Sequence, residues 1–210
     1  MDYFLTEEQQ MIRELAARIA DERVKPVAAE LDEKEEFPWE IMKVLGESDL
    51  FAVWVPEEYG GLGGGVFEQA LVVEELSRAC SGVAVSYAAS GLGSFPIIMF
   101  GSDEQKQRYL PDIASGKRLA AFALTEANAG SDVSGIATTA VLDGDEYVLN
   151  GTKQWITNGG EADIYTVIAV TDKSKGPRGS SAFIVEKGTP GLSFGKKEKK
   201  LGIRASATRE

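Results

Sequence analysis

The chain of 210 residues holds 33 acidic and 22 basic side chains, a net charge of -11, 43% hydrophobic residues, one cysteine and no histidine. This composition suits a globular protein of one large or two modest domains, able to bury a core without disulfide or metal staples. It excludes a histidine general base, a serine–histidine triad, a histidine metal site and an internal disulfide, and its acidic balance argues against nucleic acid or an anionic membrane as a partner.

The opening, MDYFLTEEQQ, lacks the basic flank and apolar run of a signal peptide. Leu5, Met11, Ile12, Leu15 and Ile19 recur at helical spacing, and Thr6 with Gln9 forms a capping-box pattern at the start. PWEIMKVLGESD reads as a second helix with Pro38 in its first turn, and FEQALVVEELSRA as a third. Between them YGGLGGG invites a dinucleotide-binding reading. Val66 stands where the third glycine would be and no βαβ unit surrounds the motif, so a flexible connector is expected.

Ala79 to Ser102 carries no charge and is long enough to span a bilayer. Its serines, glycines and Pro96 make a poor transmembrane segment, so it is read as a buried fourth helix that Pro96 kinks or ends. With the single Cys80 pointing to a reducing compartment, the protein is expected to be cytoplasmic. Ser86, Ser90 and Ser94 lie four apart on one face of this helix. Small residues there permit close packing; the alternative is a pocket wall, which makes Ser90 and Ser94 candidate substrate contacts. Ser102 and Gln105 repeat the capping box before EQKQRYLPDIAS.

After about Gly116 the pattern alternates. AVLDGDEYVLNG predicts a hairpin turning at Asp143-Gly144, and YTVIAV and SSAFIVE predict further strands. The fold class is therefore multi-domain α+β: an all-α helical domain over 1–117, then a small antiparallel sheet or barrel over 118–210. ALTEANAGSDVSG opens from an apolar run into hydroxyls and small residues, as a polar ligand lying against the main chain requires. Glu126 and Asp132 in it are an acid/base pair by residue type, yet acidic loop residues more often cap turns. In QWITNGG, an extended Trp155–Thr157 places indole and hydroxyl on one face, suited to a planar heterocycle. Lys196, Lys197, Lys199, Lys200 and Arg204 form a basic cluster, either a solvated strand edge or a surface for phosphate or an acidic partner.

Across essentially the whole chain, LTEEQQMIRE, VPEEYGGLG, GSDEQKQRYLPDIASG, LTEANAGSDVSGIATTA, LNGTKQWITNGG, FIVEKGTPGL and KKLGIRASATRE occur in an order that resembles the acyl-CoA dehydrogenase family. The resemblance implies bound FAD. Phe122 to Ser131 would supply backbone and hydroxyl contacts, notably at Leu124, Thr125, Gly130 and Ser131. The Trp155–Ile156–Thr157 segment would bring the indole against the ring system and the Thr157 hydroxyl to its hydride-accepting nitrogen, and Ser131 would also touch acyl-CoA. Phe122 replaces a common tyrosine, and Ala127-Asn128 a common proline-glycine pair.

The implied reaction is dehydrogenation of an acyl-CoA to the 2-enoyl-CoA, with electrons passing to an electron-transfer flavoprotein. A homotetramer is implied for the full-length enzyme. The family's C-terminal helical bundle, which carries the catalytic glutamate, is not in these 210 residues, so no catalytic base is assigned. A truncated dehydrogenase or one partner of a split enzyme is expected. An acyl-CoA oxidase of the same fold and a non-catalytic flavin or acyl-CoA binding subunit are the rival readings.

Overall fold

The computed structural model describes residues 4–210; Met1–Tyr3 of the opening segment lie outside the described residues. Helices come first. α1 (Glu7–Ile19) continues through a π turn at Ala20–Val24, and is followed by α2 (Ala28–Lys34), α3 (Trp39–Glu47), α4 (Val66–Ala79), α5 (Ser81–Phe100) and α6 (Asp103–Ala114). Both capping boxes form. The Gln9 N–H donates to Thr6 Oγ1 (3.2 Å) and the Gln105 N–H to Ser102 Oγ (3.3 Å), with the reciprocal amide bonds at 3.0 and 2.9 Å. These satisfy orphan donors that a helix start leaves unpaired. Gln9 also donates to Glu68 (2.8 Å), whose carboxylate accepts from the Gly65 N–H (2.7 Å), so one cap is built on another.

The glycine-rich connector is pinned rather than loose. The Gly61, Leu62 and Gly63 N–H groups donate to the carbonyls of Pro56, Ala52 and Val55 at 2.9–3.1 Å. A Cβ on Gly61 would fall 1.8 Å from the Val55 carbonyl oxygen, so only glycine passes there. The connector is a seam against the Leu50–Trp54 turn, whose Phe51 and Trp54 rings pack with Tyr87 of α5 at centroid distances of 5.1 and 5.3 Å.

α5 is long and apolar enough to cross a membrane by length and composition, and 56% of that stretch is buried inside the protein. It runs on to Phe100 instead of stopping at Pro96. A proline deletes one backbone donor, and the buried Ile97 anchors the last turn in the core. The serine face of α5 lies against β1 (Ala120–Ala123). A Cβ on Gly93 would meet the backbone of Ala121 at 2.6 Å, so helix and strand touch main chain to main chain.

The remaining strands are β2 (Thr139–Asp143), β3 (Glu146–Asn150), β4 (Ile156–Thr157), β5 (Ile164–Val170), β6 (Ser180–Glu186) and β7 (Thr208–Arg209). The helices-then-strands order matches the expectation, but the sheet is mixed rather than antiparallel. β6 runs antiparallel along the whole of β5, while β1 lies parallel to it from Ala120↔Ile164 to Ala123↔Val167, and β2 joins the same edge, parallel, at Thr139↔Val170. Alternation encodes which face is buried and says nothing of a neighbour's direction. The predicted hairpin is present, with Asp143 opposite Glu146 and Gly144 at φ 65°. β4 and β7 form a separate two-stranded ladder.

The hydrophobic core crosses the change of pattern without a break. Leu45, Trp54, Leu76 and Leu110 of the helices belong to one buried cluster with Ala120, Ile164 and Val167 of the sheet. Charged ties reinforce the junction. Glu186, at the end of β6, accepts from Arg108 (2.5 Å), Tyr109 (3.1 Å) and Arg118 (2.9 Å). Part of the basic cluster is engaged within the chain: Arg204 pairs with Asp32 (3.1 Å) and Lys197 donates to the Glu35 carbonyl at the end of α2. Lys200 donates to the Ser206 carbonyl and to Thr208 Oγ1 (3.0 Å).

Candidate functional site

Two segments of the sheet half form the site. The first leaves β1 at Leu124 and reaches β2 through a tight turn in which Glu126 and Ala129 exchange backbone bonds of 2.9 and 3.1 Å. Ala127-Asn128 forms the tip, so the departure from proline-glycine is accommodated in a closed turn. Glu126 holds the rest of the loop. Its buried carboxylate accepts from the Ala137 N–H (2.7 Å), the Thr138 N–H (3.0 Å) and Lys153 Nζ (2.7 Å). Burial pushes its pKa up, but the Lys153 ammonium and the two amides overcome this and pull it down to about 2.

Glu126 is therefore a fixed anion with every oxygen engaged, and Asp132 is exposed and caps the following turn through the Ser134 N–H (2.9 Å). Neither is placed to exchange protons with a ligand.

The second segment is brought to the first by two bonds. Lys153 Nζ also donates to the Leu124 carbonyl (2.9 Å), and the Gln154 N–H donates to the Thr125 carbonyl (2.7 Å). Trp155 follows at once. It does not continue as extended chain: its φ is 57°, and only Ile156 and Thr157 are strand, paired with Arg209 and Thr208 of β7. The alternation expected to place indole and hydroxyl on one face is broken by this left-handed residue.

The candidate residues differ sharply in exposure. Ile156 is buried, and Phe122, Leu124, Thr125 and Thr157 are half-buried. Gly130 and Ser131 are exposed, and Trp155 leaves 61% of its surface open, unusual for so large an apolar group. A Cβ on Gly130 would meet nothing within 4 Å, and the Gly130 and Ser131 N–H groups make no hydrogen bond to the described residues. An uncovered aromatic plate, a nearby hydroxyl and free main-chain donors fit a planar, polar heterocycle such as a flavin.

Ser90 and Ser94 lie elsewhere. Both are fully buried: Ser94 Oγ accepts from Trp54 Nε1 (2.9 Å) and donates to the Gly91 carbonyl (2.9 Å), and Ser90 Oγ accepts from the Ala120 N–H (3.4 Å). The serine face is occupied by β1, which leaves no room for a pocket wall and corrects the assignment of these two residues as substrate contacts. A hollow of about 1180 Å³ opens between β3, β5, β6 and the 189–195 segment; of the candidate residues only Ile156 lines it.

Sequence reasoning missed Lys153, the counter-ion of Glu126, and Asn158, buried directly behind Thr157. The only signal for either was its position inside the LNGTKQWITNGG segment.

The comparisons with known proteins identify the same architecture. The family described as acyl-CoA dehydrogenase, N-terminal domain, matches residues 6–117, and that described as acyl-CoA dehydrogenase, middle domain, matches residues 121–210. The chain belongs to the acyl-CoA dehydrogenase family. It is 48% identical to a short-chain specific acyl-CoA dehydrogenase of Clostridium acetobutylicum, over all of this chain and 56% of that protein. A chain from a structural study of the electron transferring flavoprotein of Acidaminococcus fermentans is 48% identical, with a TM-score of 0.96 over all of this chain and 55% of that one. An acyl-CoA dehydrogenase of Bacillus anthracis solved with FAD is 42% identical, with a TM-score of 0.87 over 98% of this chain and 35% of that one. The chain thus spans about half the length of the curated relative.

Proposed function

We propose that this chain supplies the flavin- and acyl-CoA-binding part of an FAD-dependent acyl-CoA dehydrogenase that converts an acyl-CoA thioester to its 2-enoyl-CoA. The observation that carries the reading is the pair of bonds from Lys153 and Gln154 to the carbonyls of Leu124 and Thr125. They join the Leu124–Ser131 loop to the Trp155–Thr157 segment into one open, donor-rich surface. These residues would hold FAD, whose chemistry would be acceptance of the hydride from the acyl β carbon.

The residues of this chain hold and orient. The Trp155 indole would lie against the ring system, and the Thr157 hydroxyl would donate to it. The Gly130 and Ser131 main chain and the Ser131 hydroxyl would hold the flavin edge and the start of the thioester, for which Gly130 leaves room. Preorganised donors of this kind stabilise developing negative charge, each worth a few kcal/mol (roughly 3) at comparable sites. Phe122, Leu124, Thr125 and Ile156 back this surface. No carboxylate here is assigned as the base for the α proton, because Glu126 is locked with Lys153. Electrons pass on to an electron-transfer flavoprotein, and the working form is a cytoplasmic homotetramer.

The test is an absorption spectrum of the full-length protein under anaerobic conditions, before and after a panel of acyl-CoAs. A yellow protein bleached by one thioester is expected. Absence of flavin sinks the proposal, and rapid reoxidation of the bleached protein by air replaces the dehydrogenase with an oxidase.

A further inference from the structure

Thr157 is followed by a buried asparagine that ties its short strand to the elements behind it. Asn158 is completely buried, at φ 63°, a left-handed conformation that asparagine tolerates better than most residues. Its Nδ2 donates to the Ser86 carbonyl of α5 (2.9 Å) and the Ala120 carbonyl of β1 (3.4 Å). Its own N–H donates to the Ala207 carbonyl (3.0 Å), and its carbonyl accepts from the Glu161 and Ala162 N–H groups (3.0 and 2.8 Å) and the Tyr165 hydroxyl (3.4 Å). Tyr165 Oη also accepts from the Gly160 N–H (2.9 Å). The side-chain Oδ1 has no partner among the described residues. The amide orientation follows from chemistry, since the reverse would set three oxygens against one another.

We infer that Asn158 is a positioning residue for the flavin site, setting the aim of Thr157 and the spacing between its strand and β1. The inference rests on the flavin reading proposed above. Two left-handed residues, Trp155 and Asn158, bracket the strand Ile156–Thr157 and leave it no slack. The amide then ties this short strand to Ala120, the first residue of the strand that delivers Phe122 to Ser131, and to the helix behind both. Both halves of the proposed site are thus referenced to one buried group. An unpaired buried Oδ1 is unfavourable, so the amide is kept for its two donor bonds. A site tuned by donor direction depends on such support from behind.

The experiment uses the full-length holoenzyme and compares Asn158→Gly, which keeps the left-handed backbone and deletes the amide, with Thr157→Val and Leu76→Ala. Leu76 is a fully buried α4 side chain and serves as the stability control. FAD dissociation constants, the flavin midpoint potential and thermal melting are read for each. Asn158→Gly is expected to weaken FAD binding at least tenfold and to shift the potential of the flavin that remains bound in the same direction as Thr157→Val. Leu76→Ala lowers melting alone.

If Asn158→Gly lowers melting while affinity and potential stay at the wild-type values, Asn158 is structural only and the inference is overturned. Should Asn158→Gly not fold, Asn158→Ser, which retains a donor, is read against the same two controls. A wild-type protein that binds no FAD, or a potential unmoved by Thr157→Val, removes the flavin reading itself and this inference with it.

Discussion

The serine face of α5 and the Gly130–Ser131 loop are both rich in small polar residues, and they do opposite work. On the serine face of α5 the three hydroxyls are buried: Ser86 donates to the Gly82 carbonyl (3.0 Å), Ser94 serves Trp54 and Gly91, and Ser90 meets the Ala120 N–H. On the loop the Ser131 hydroxyl and the Gly130 and Ser131 main-chain donors stand in the open, and the indole of the segment bonded to this loop is uncovered. Small size lets two backbones touch in the first region and leaves a ligand room in the second. The comparison teaches that satisfaction of the polar atoms, more than residue type, separates scaffold from site.

That contrast can be broken in three places. The largest effect is expected beneath the loop, at the buried pair Lys153–Glu126 (2.7 Å). Lys153→Met leaves a carboxylate buried without its cation and should cost about 3–5 kcal/mol in chemical denaturation. Glu126 also gives the fold an acid limit. Its pKa is held at about 2 against an ordinary 4.5, so its stabilisation is complete above pH ~4.5 and is lost as pH falls toward 2. The loss is about 3 kcal/mol for a shift of this size. In Lys153→Met the Glu126 pKa rises toward its ordinary value, so the loss between pH ~4.5 and 2 should shrink; a loss as large as in the wild type would remove the ion pair from the account.

Next comes Ser90→Leu. With Ser90 against β1 the extra volume is overpacking and should lower stability by about 1–3 kcal/mol, seen as a lower melting temperature. A fully stable variant with changed acyl-chain preference would restore the pocket-wall reading of this face. The smallest stability effect is expected at Gly130→Ala, within about 0.5 kcal/mol, because the new methyl group meets open space. FAD affinity should nevertheless fall, since the methyl group occupies the approach to the main chain. Unchanged affinity would move the flavin away from Gly130.

Much of this was legible in the sequence, for local reasons. Both capping boxes, the helical face of α1 and the Asp143-Gly144 hairpin depend on residues a few positions apart, and their chemistry is written side by side. The family segments placed the two loops. What stayed hidden was long-range. The direction of β1 beside β5 is set by a crossover of some forty residues, from 124 to 163, which alternation does not record. Glu126 finds Lys153 across 27 positions, and Arg204 finds Asp32 across 172. The left-handed turn at Trp155 was illegible for another reason: a tryptophan there is locally unfavourable and persists because β4 is fixed on both sides.

The bond from Lys197 to the Glu35 carbonyl has a consequence for how the protein is made. It joins positions 162 residues apart. At a synthesis rate of about 5–20 residues per second, α2 and its carbonyl end leave the ribosome on the order of ten seconds before Lys197 exists. Over that interval the seven-residue helix has no strand-side partner, and isolated helices so short are marginal in water. The carbonyl end of α2 is thus completed by residues made long after it, so this helix of a nascent chain stays unfinished until translation has passed Arg204.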